Sequence, residues 1–531
     1  MKKIIGLLAC LIPAGIPSAF GQNPQVEDEF ILKARQFLAA MALLAGVFFT
    51  GCNAQKIQIH KRIKAVETSL FRVVYLKGIK PEKLSLTGRM AFYKVPGVSI
   101  AAIDKNSVEW ARAYGVKDVQ TDQPLSTDVV FQGGAFSQLI AAAAALRLVE
   151  QGKLGLEGDI GRQLKSYKLP PPYEALSRSL TPKALMTHSA GFSDQIFSGY
   201  ALDEPLPLLR QILDGEKPAN NGPVWVPPAR PFAAKAQYSE SGYVLLQQLL
   251  EDVAAEPFAS FVHRTVFNPL AMNRSSFAAV LPAGLKSESA SGHLREGQTM
   301  PNLWNTYPES AAKGLWTTAP DFASFLTDLL QSAAGKPGKI LTSGAARVML
   351  SPQVENFGFG FLVEGKGDDV QFNLRGKTSG FACYMVLYPA KGQGAVIMTN
   401  SDNGLFLIRE ILSAFSEAYK WPHYKPEEKP VLRLTPESYQ QYIGRYEVNP
   451  SYVLDVTQED YYLVIRPTGQ SPTKFYAESQ TLFYSTDPYI RIQFLSNRLN
   501  QVDRLVLWQQ DFELQAKKIQ VNPAKAMTLL Y

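Results

Sequence analysis

The sequence predicts an α+β layer domain followed by a small antiparallel β-barrel or sandwich. Three observations point there. Strand-like runs stand at both ends of a helix-rich middle, the pattern of a layered α+β unit. A Pro- and charge-rich stretch, Trp421 to Pro430, interrupts the chain. Beyond it come only short alternating runs spaced as in small all-β domains. With 531 residues, 46% of them hydrophobic, the chain can fill two separate cores.

Taken in order, residues 1–52 read as export segments. Lys2 and Lys3 precede an apolar stretch and Ala19-Phe20-Gly21, the form of a secretory signal. A second apolar run, Phe37 to Phe49, leads to Thr50-Gly51-Cys52, where small residues before a cysteine resemble a lipobox and make Cys52 the expected lipid attachment site. Each run is shorter than the roughly 20 residues a membrane span needs. Two signals in series are odd, and a true start near Leu32 would remove the first. A periplasmic or membrane-anchored lipoprotein is therefore expected, held to the membrane through its lipid.

A domain over 53–425, with its core at about 94–419, and a β domain over 426–531 follow. Val98 to Ile103, a turn at Asp104-Lys105-Asn106 and Val108 to Tyr114 read as a hairpin. Gln138 to Gln151, rich in Ala and Leu, reads as a buried helix stopped by Gly152. Helices are expected at Pro182 to Met186, Gly242 to Ala254, Pro257 to Phe267 and Pro320 to Ser332. Strands are expected at Phe359 to Val363, Ala382 to Tyr388 and Gly394 to Met398. In the β domain the runs are Tyr452 to Val456, Tyr461 to Ile465, Thr481 to Tyr484, Ile490 to Phe494 and Val502 to Trp508.

Composition excludes several functions. The net charge of +7 is modest and its cations form no basic stripe, so no nucleic-acid partner is expected. Five scattered histidines and three cysteines offer no metal-ligand spacing, so neither a metal nor another cofactor is expected.

The ordered segments Phe131-Gln-Gly-Gly-Ala-Phe-Ser-Gln138, Leu185-Met-Thr-His-Ser-Ala-Gly191, Tyr238-Ser-Glu-Ser-Gly-Tyr243, Gly314-Leu-Trp-Thr-Thr-Ala319 and Gly376-Lys-Thr-Ser-Gly-Phe381 carry a resemblance. Between about Lys94 and Tyr419 the chain resembles the serine β-lactamase and penicillin-binding-protein family, in its class C and esterase-like branch. The C-terminal region is similar to the lipocalin-like appendage of that branch. The resemblance implies a β-lactamase/transpeptidase-like fold, an antiparallel sheet with flanking helices.

It also implies three clusters: Ser-x-x-Lys at a helix start, Tyr-x-Asn, and Lys- or His-x-Gly on an edge strand. Ala135 stands at the serine position and Gln138 at the lysine position. Tyr238 keeps the phenol, Glu240 replaces the Asn, and Leu374 replaces the Lys or His beside a retained Gly376. A short deletion would instead bring Lys377-Thr378 into that third cluster. Alanine cannot be acylated, so a non-catalytic binding or scaffold module is the leading expectation.

The rival is an active serine hydrolase, of β-lactamase, D-alanyl peptidase or esterase type, using Ser137 with Tyr238 and Glu240. Yet Ser137 lies about 200° around a helix from position 135 and should face away from the pocket. Ser471-Pro-Thr-Lys474 matches Ser-x-x-Lys but precedes no helix, and His188 and Cys383 read as core residues. A third expectation gives ligand binding to the C-terminal β domain. With Gln138, Glu240 and Leu374 all lowering positive charge, the expected partner is a neutral or cationic small molecule or peptide of the cell envelope. Oligomeric state is left open.

Overall fold

The computed structural model describes residues 54–171, 173–176, 180–192, 196–225, 235–509 and 512–519. It divides into compact units at Met1–Lys61 and Arg62–Tyr531. In the first, residues 54–61 are helical, and the signal segments with Cys52 lie outside the described residues. No helix among the described residues is long and apolar enough to cross a membrane.

The second unit holds a seven-stranded antiparallel sheet. Its elements begin with β1 (Val74–Leu76), α1 (Leu86–Tyr93), β2 (Gly97–Asp104) and β3 (Ser107–Asp118), followed by β4 (Gln123–Pro124) and β5 (Phe131–Gln132). Lys105 and Asn106, both at positive φ, make the two-residue turn that joins β2 to β3. Next come α2 (Phe136–Glu150), α3 (Glu240–Ala254), α4 (Ser310–Lys313), β6 (Trp316–Thr317) and α5 (Ala319–Ala333). The sheet is completed by β7 (Leu362–Glu364), β8 (Gln371–Thr378), β9 (Phe381–Tyr388) and β10 (Gln393–Thr399), and α6 (Gly404–Tyr419) follows. Strand order is β4-β3-β2-β10-β9-β8-β7.

Helices cover both faces. On one, α2 and α5 enclose a core that includes Met385, Leu387, Val396 and Met398 from the sheet. On the other, Phe415 of α6 stacks on Trp110 of β3 at 5.7 Å between ring centroids. Ala141 to Ala145 on α2 are fully buried, and their small side chains let α3 and α4 pack closely against the helix. The expected helix, the hairpin and the strands at Ala382 to Tyr388 and Gly394 to Met398 are thus present, while of Phe359 to Val363 only the last two residues are strand, in β7. Pro257 to Phe267 divides into an α-turn, Phe258–Val262, and a π-helical turn, His263–Phe267.

The stretch read as a linker is built into the packing. Trp421 is fully buried and donates to Gln393 Oε1 at 3.0 Å, while β11 (Glu427–Lys429) pairs in parallel with β1. After a short α7 (Pro436–Gln440), eight strands close a barrel. They are β12 (Gly444–Asn449), β13 (Tyr452–Glu459), β14 (Tyr462–Pro467), β15 (Thr473–Ala477), β16 (Leu482–Thr486), β17 (Tyr489–Ser496), β18 (Val502–Gln509) and β19 (Phe512–Ile519). Five of these were anticipated, and β12, β15 and β19 supply the closure that decides barrel over sandwich. Tyr442, Tyr446, Phe483 and Phe494 pack inside it, in keeping with an eight-stranded barrel filled by its own side chains.

A buried fork joins barrel and sheet domain. Arg89 of α1 donates to both oxygens of Glu410 on α6, at 2.7 and 2.8 Å, and to Asp487 in the β16–β17 turn at 3.1 Å. Side-chain exposures of 6% for Arg89 and 1% for Glu410 make this a desolvated pair.

Candidate functional site

The turn before α2 is pinned against the edge of the sheet. Gly133 donates to Leu315 O at 2.8 Å and accepts from the Cys383 thiol at 3.0 Å. Gly134 has φ +52, and a Cβ there would lie 2.6 Å from Lys377 N. A Cβ on Gly376 would come within 2.0 Å of Gly133 O. Glycine at these points is what lets the turn and β8 touch. Burial pushes the Cys383 thiol well above its ordinary range, so it serves as a buried donor and not as a nucleophile.

Ala135 occupies the N-cap of α2 and lines an open cleft of about 1160 Å³. The helix directs the positive end of its dipole there. One turn further in, Gln138 Nε2 donates to the Tyr238 hydroxyl at 2.9 Å, while its Oε1 is buried with no hydrogen-bond partner. A carboxamide does not take up a proton at neutral pH, so this position supplies no base. Ser137 is fully buried and absent from the cleft wall. Its hydroxyl donates to Gly134 O at 2.6 Å and accepts from Leu315 N at 3.0 Å, fastening the turn from behind. The helical angle anticipated that direction.

Glu240 opens α3. Its carboxylate accepts from Phe197 N at 3.1 Å and pairs with Lys313 of α4 at 3.0 Å, with both side chains nearly inaccessible. Reading Glu240 as an added negative charge therefore needs correcting, because Lys313 neutralises it. Beside them Glu309 is completely buried, and neither of its carboxylate oxygens bonds to another residue. Burial first, then the Glu240 charge, push it up to about 8 against the pull of Lys313. Sequence reasoning missed Lys313 and Glu309; the available signal was two charged residues set inside the apolar run that leads to Leu315-Trp316.

His188, at φ +57, has Nδ1 3.1 Å from both the N–H and the C=O of Ser239, and burial holds it down to about 4. It is a neutral ring packed 4.8 Å from Tyr238. Leu374 is 7% exposed, opposite Met385 in the core and at the cleft edge. Lys377 is exposed on the cleft one residue past Gly376. Ser471-Pro-Thr-Lys474 precedes no helix: Lys474 lies on β15 and donates to Tyr462 at 2.8 Å.

The charges of the whole wall differ from those of the motif positions alone. Among the described residues five cations line it, Arg295, Lys313, Arg375, Lys377 and Arg409, against the three carboxylates of Glu240, Glu364 and Asp402. Counting only Gln138, Glu240 and Leu374 gave the opposite balance.

A helix N-terminus packed on the strand next to the edge of an antiparallel sheet, with a phenol bonded one turn into that helix, is an arrangement of the β-lactamase-like fold. The Beta-lactamase family profile matches residues 85–412, and the chain belongs to that family. Penicillin-binding protein 4* of Bacillus subtilis is 22% identical over 430 residues, covering 75% of this chain and 89% of that protein. Among solved structures, the octameric penicillin-binding protein homologue from Pyrococcus abyssi superposes with a TM-score of 0.53 at 19% identity, covering 81% of this chain and 98% of the other. The D-alanine carboxypeptidase AmpC of Burkholderia cenocepacia gives 0.51 at 17% identity, over 68% of this chain and 99% of that one.

Proposed function

We propose that this member of the β-lactamase family binds its ligand without forming an acyl-enzyme, as a non-catalytic module of the cell envelope exported and tethered through Cys52. The observation that carries the reading is Ala135 at the N-cap of α2, with the amide of Gln138 bonded to Tyr238 one turn behind. The one nearby hydroxyl on that helix, Ser137, is committed to the turn. Relatives named as penicillin-binding proteins and a D-alanine carboxypeptidase support a small peptide-like or β-lactam-like ligand. The excess of cations on the cleft wall supports one that carries an acidic group, in place of the neutral or cationic ligand the motif positions suggested.

Intact-mass measurement after incubation with a fluorescent penicillin, and separately with a fluorophosphonate, tests this reading. No mass increase is expected. A stoichiometric adduct would overturn it, and one that disappears in Ser137→Ala would establish the rival hydrolase. For the tether, mass spectrometry of the native N-terminus should find a lipidated Cys52; a mature chain beginning at Gln22 would refute that part.

A further inference from the structure

We infer that the cleft continues around the edge of β8 into a second compartment that takes an oxyanionic group, carboxylate or phosphate, between Arg375 and Arg409. The inference rests on the reading of this cleft as a ligand site and adds where the acidic group is held. β7 pairs with β8 only from Gln371 to Asn373, so beyond that point no strand covers this edge and the cleft can pass around it. Strand alternation sends Leu374 and Gly376 toward α2 and sends Arg375 to the other face. There Arg375 stands opposite Tyr384 of β9. Arg375, Tyr384 and Tyr238 all line the same cleft.

Arg409 of α6 lies 5.0 Å over the ring of Tyr424. The hydroxyls of Tyr384 and Tyr424 are 3.1 Å apart. Both arginines are exposed, and both line the cleft. Tyr424 reaches this wall from a backbone at φ +65, a conformation that costs a bulky residue energy and that clusters at ligand clamps. Glu364, the carboxylate on this side of the wall, accepts from Gln371 Nε2 at 2.8 Å and Asn373 Nδ2 at 2.9 Å. Two guanidinium forks against one amide-bound carboxylate suit a planar or tetrahedral oxyanion.

The test is calorimetric titration of the mature chain with inorganic phosphate and, separately, succinate, at constant ionic strength. At least one of the two should bind saturably at one site. Arg375→Gln and Arg409→Gln should each weaken that binding about ten-fold, the loss of one charge-assisted pair, while Lys153→Gln, on a distant exposed turn, should leave it unchanged. Tighter phosphate identifies a phosphoryl group as the natural occupant, and tighter succinate a carboxylate. Absence of saturable binding by both anions, equal affinity in both arginine variants, or an equal loss in Lys153→Gln would each overturn the proposal. Should either arginine variant fail to fold, Tyr384→Phe keeps the ring and removes one hydroxyl; it should weaken binding a few-fold, and unchanged affinity there counts against the compartment. A penicillin adduct would defeat the non-catalytic reading and leave this one standing, whereas lost anion binding without an adduct defeats this one alone.

Discussion

Replacing Glu309 by glutamine should stabilise the protein, and do so increasingly as pH rises. In the unfolded chain this carboxyl titrates near its ordinary 4.5, and in the fold it is pushed up to about 8 by burial and by Glu240. Below the lower value both states are protonated and the residue contributes nothing to the pH dependence. Between the two values the unfolded chain gives up the proton and the folded one keeps it, so stability falls as pH rises. At about 1.4 kcal/mol for each tenfold change in proton affinity, the full interval amounts to on the order of 5 kcal/mol above pH 8, and roughly 3 kcal/mol at pH 7. Glutamine has nearly the same shape and no proton to lose. Urea unfolding of both proteins at about pH 5 and about pH 8.5 should show the glutamine variant gaining several kcal/mol relative to wild type between the two conditions. A stability difference that is the same at both pH values would refute the picture of a buried carboxyl kept neutral by its surroundings.

Other perturbations follow from the same contacts. Arg89→Ala should cost about 3–5 kcal/mol, because it leaves the Glu410 carboxylate buried without its cation; a melting temperature within a degree of wild type would contradict that. Ser137→Ala removes a donor and an acceptor from behind the α2 turn and should destabilise by about 1–3 kcal/mol in denaturant titration. Gly134→Ala meets both a left-handed backbone and the Lys377 amide, and a loss of about 1–3 kcal/mol is expected in the same assay. Ala135→Ser combined with Gln138→Lys should gain a slowly forming penicillin adduct by intact mass, while Ala135→Ser alone, lacking an amine one turn further along α2, should form none.

What the sequence made legible was whatever depends on local pattern. The alanine run of α2, the β2–β3 hairpin and the β-branched strands near Ala382 and Gly394 declare themselves through periodicity and turn chemistry. β8 did not, because Gln371, Asn373, Arg375 and Lys377 place polar groups on the face turned away from α2, and Gly376 breaks the run. The strands β12, β15 and β19 stayed hidden for a similar reason, their outer residues being Arg, Lys and Glu. Within the site, the inward turn of Ser137 could be read from helical geometry alone. Lys313 could not be assigned to Glu240, since only the tertiary fold brings α4 to the start of α3. Nor did the Pro- and charge-rich composition of Trp421 to Pro430 reveal that the fold buries the Trp421 indole and bonds it to Gln393.

The contact between Gly133, Gly134 and Gly376 has an evolutionary side. A side chain at Gly134 would run into the Lys377 amide and one at Gly376 into the Gly133 carbonyl, so both positions must stay bare for the helix end to meet the strand. The departures at Ala135 and Gln138 are of another kind: an alanine codon becomes a serine codon by changing its first base, and a glutamine codon becomes a lysine codon in the same way. The contact between helix end and strand is intact, and the two α2 side chains that depart from the Ser-x-x-Lys pattern each lie one nucleotide from it. Two single-nucleotide changes would therefore place a Ser-x-x-Lys pair on α2 without touching that contact.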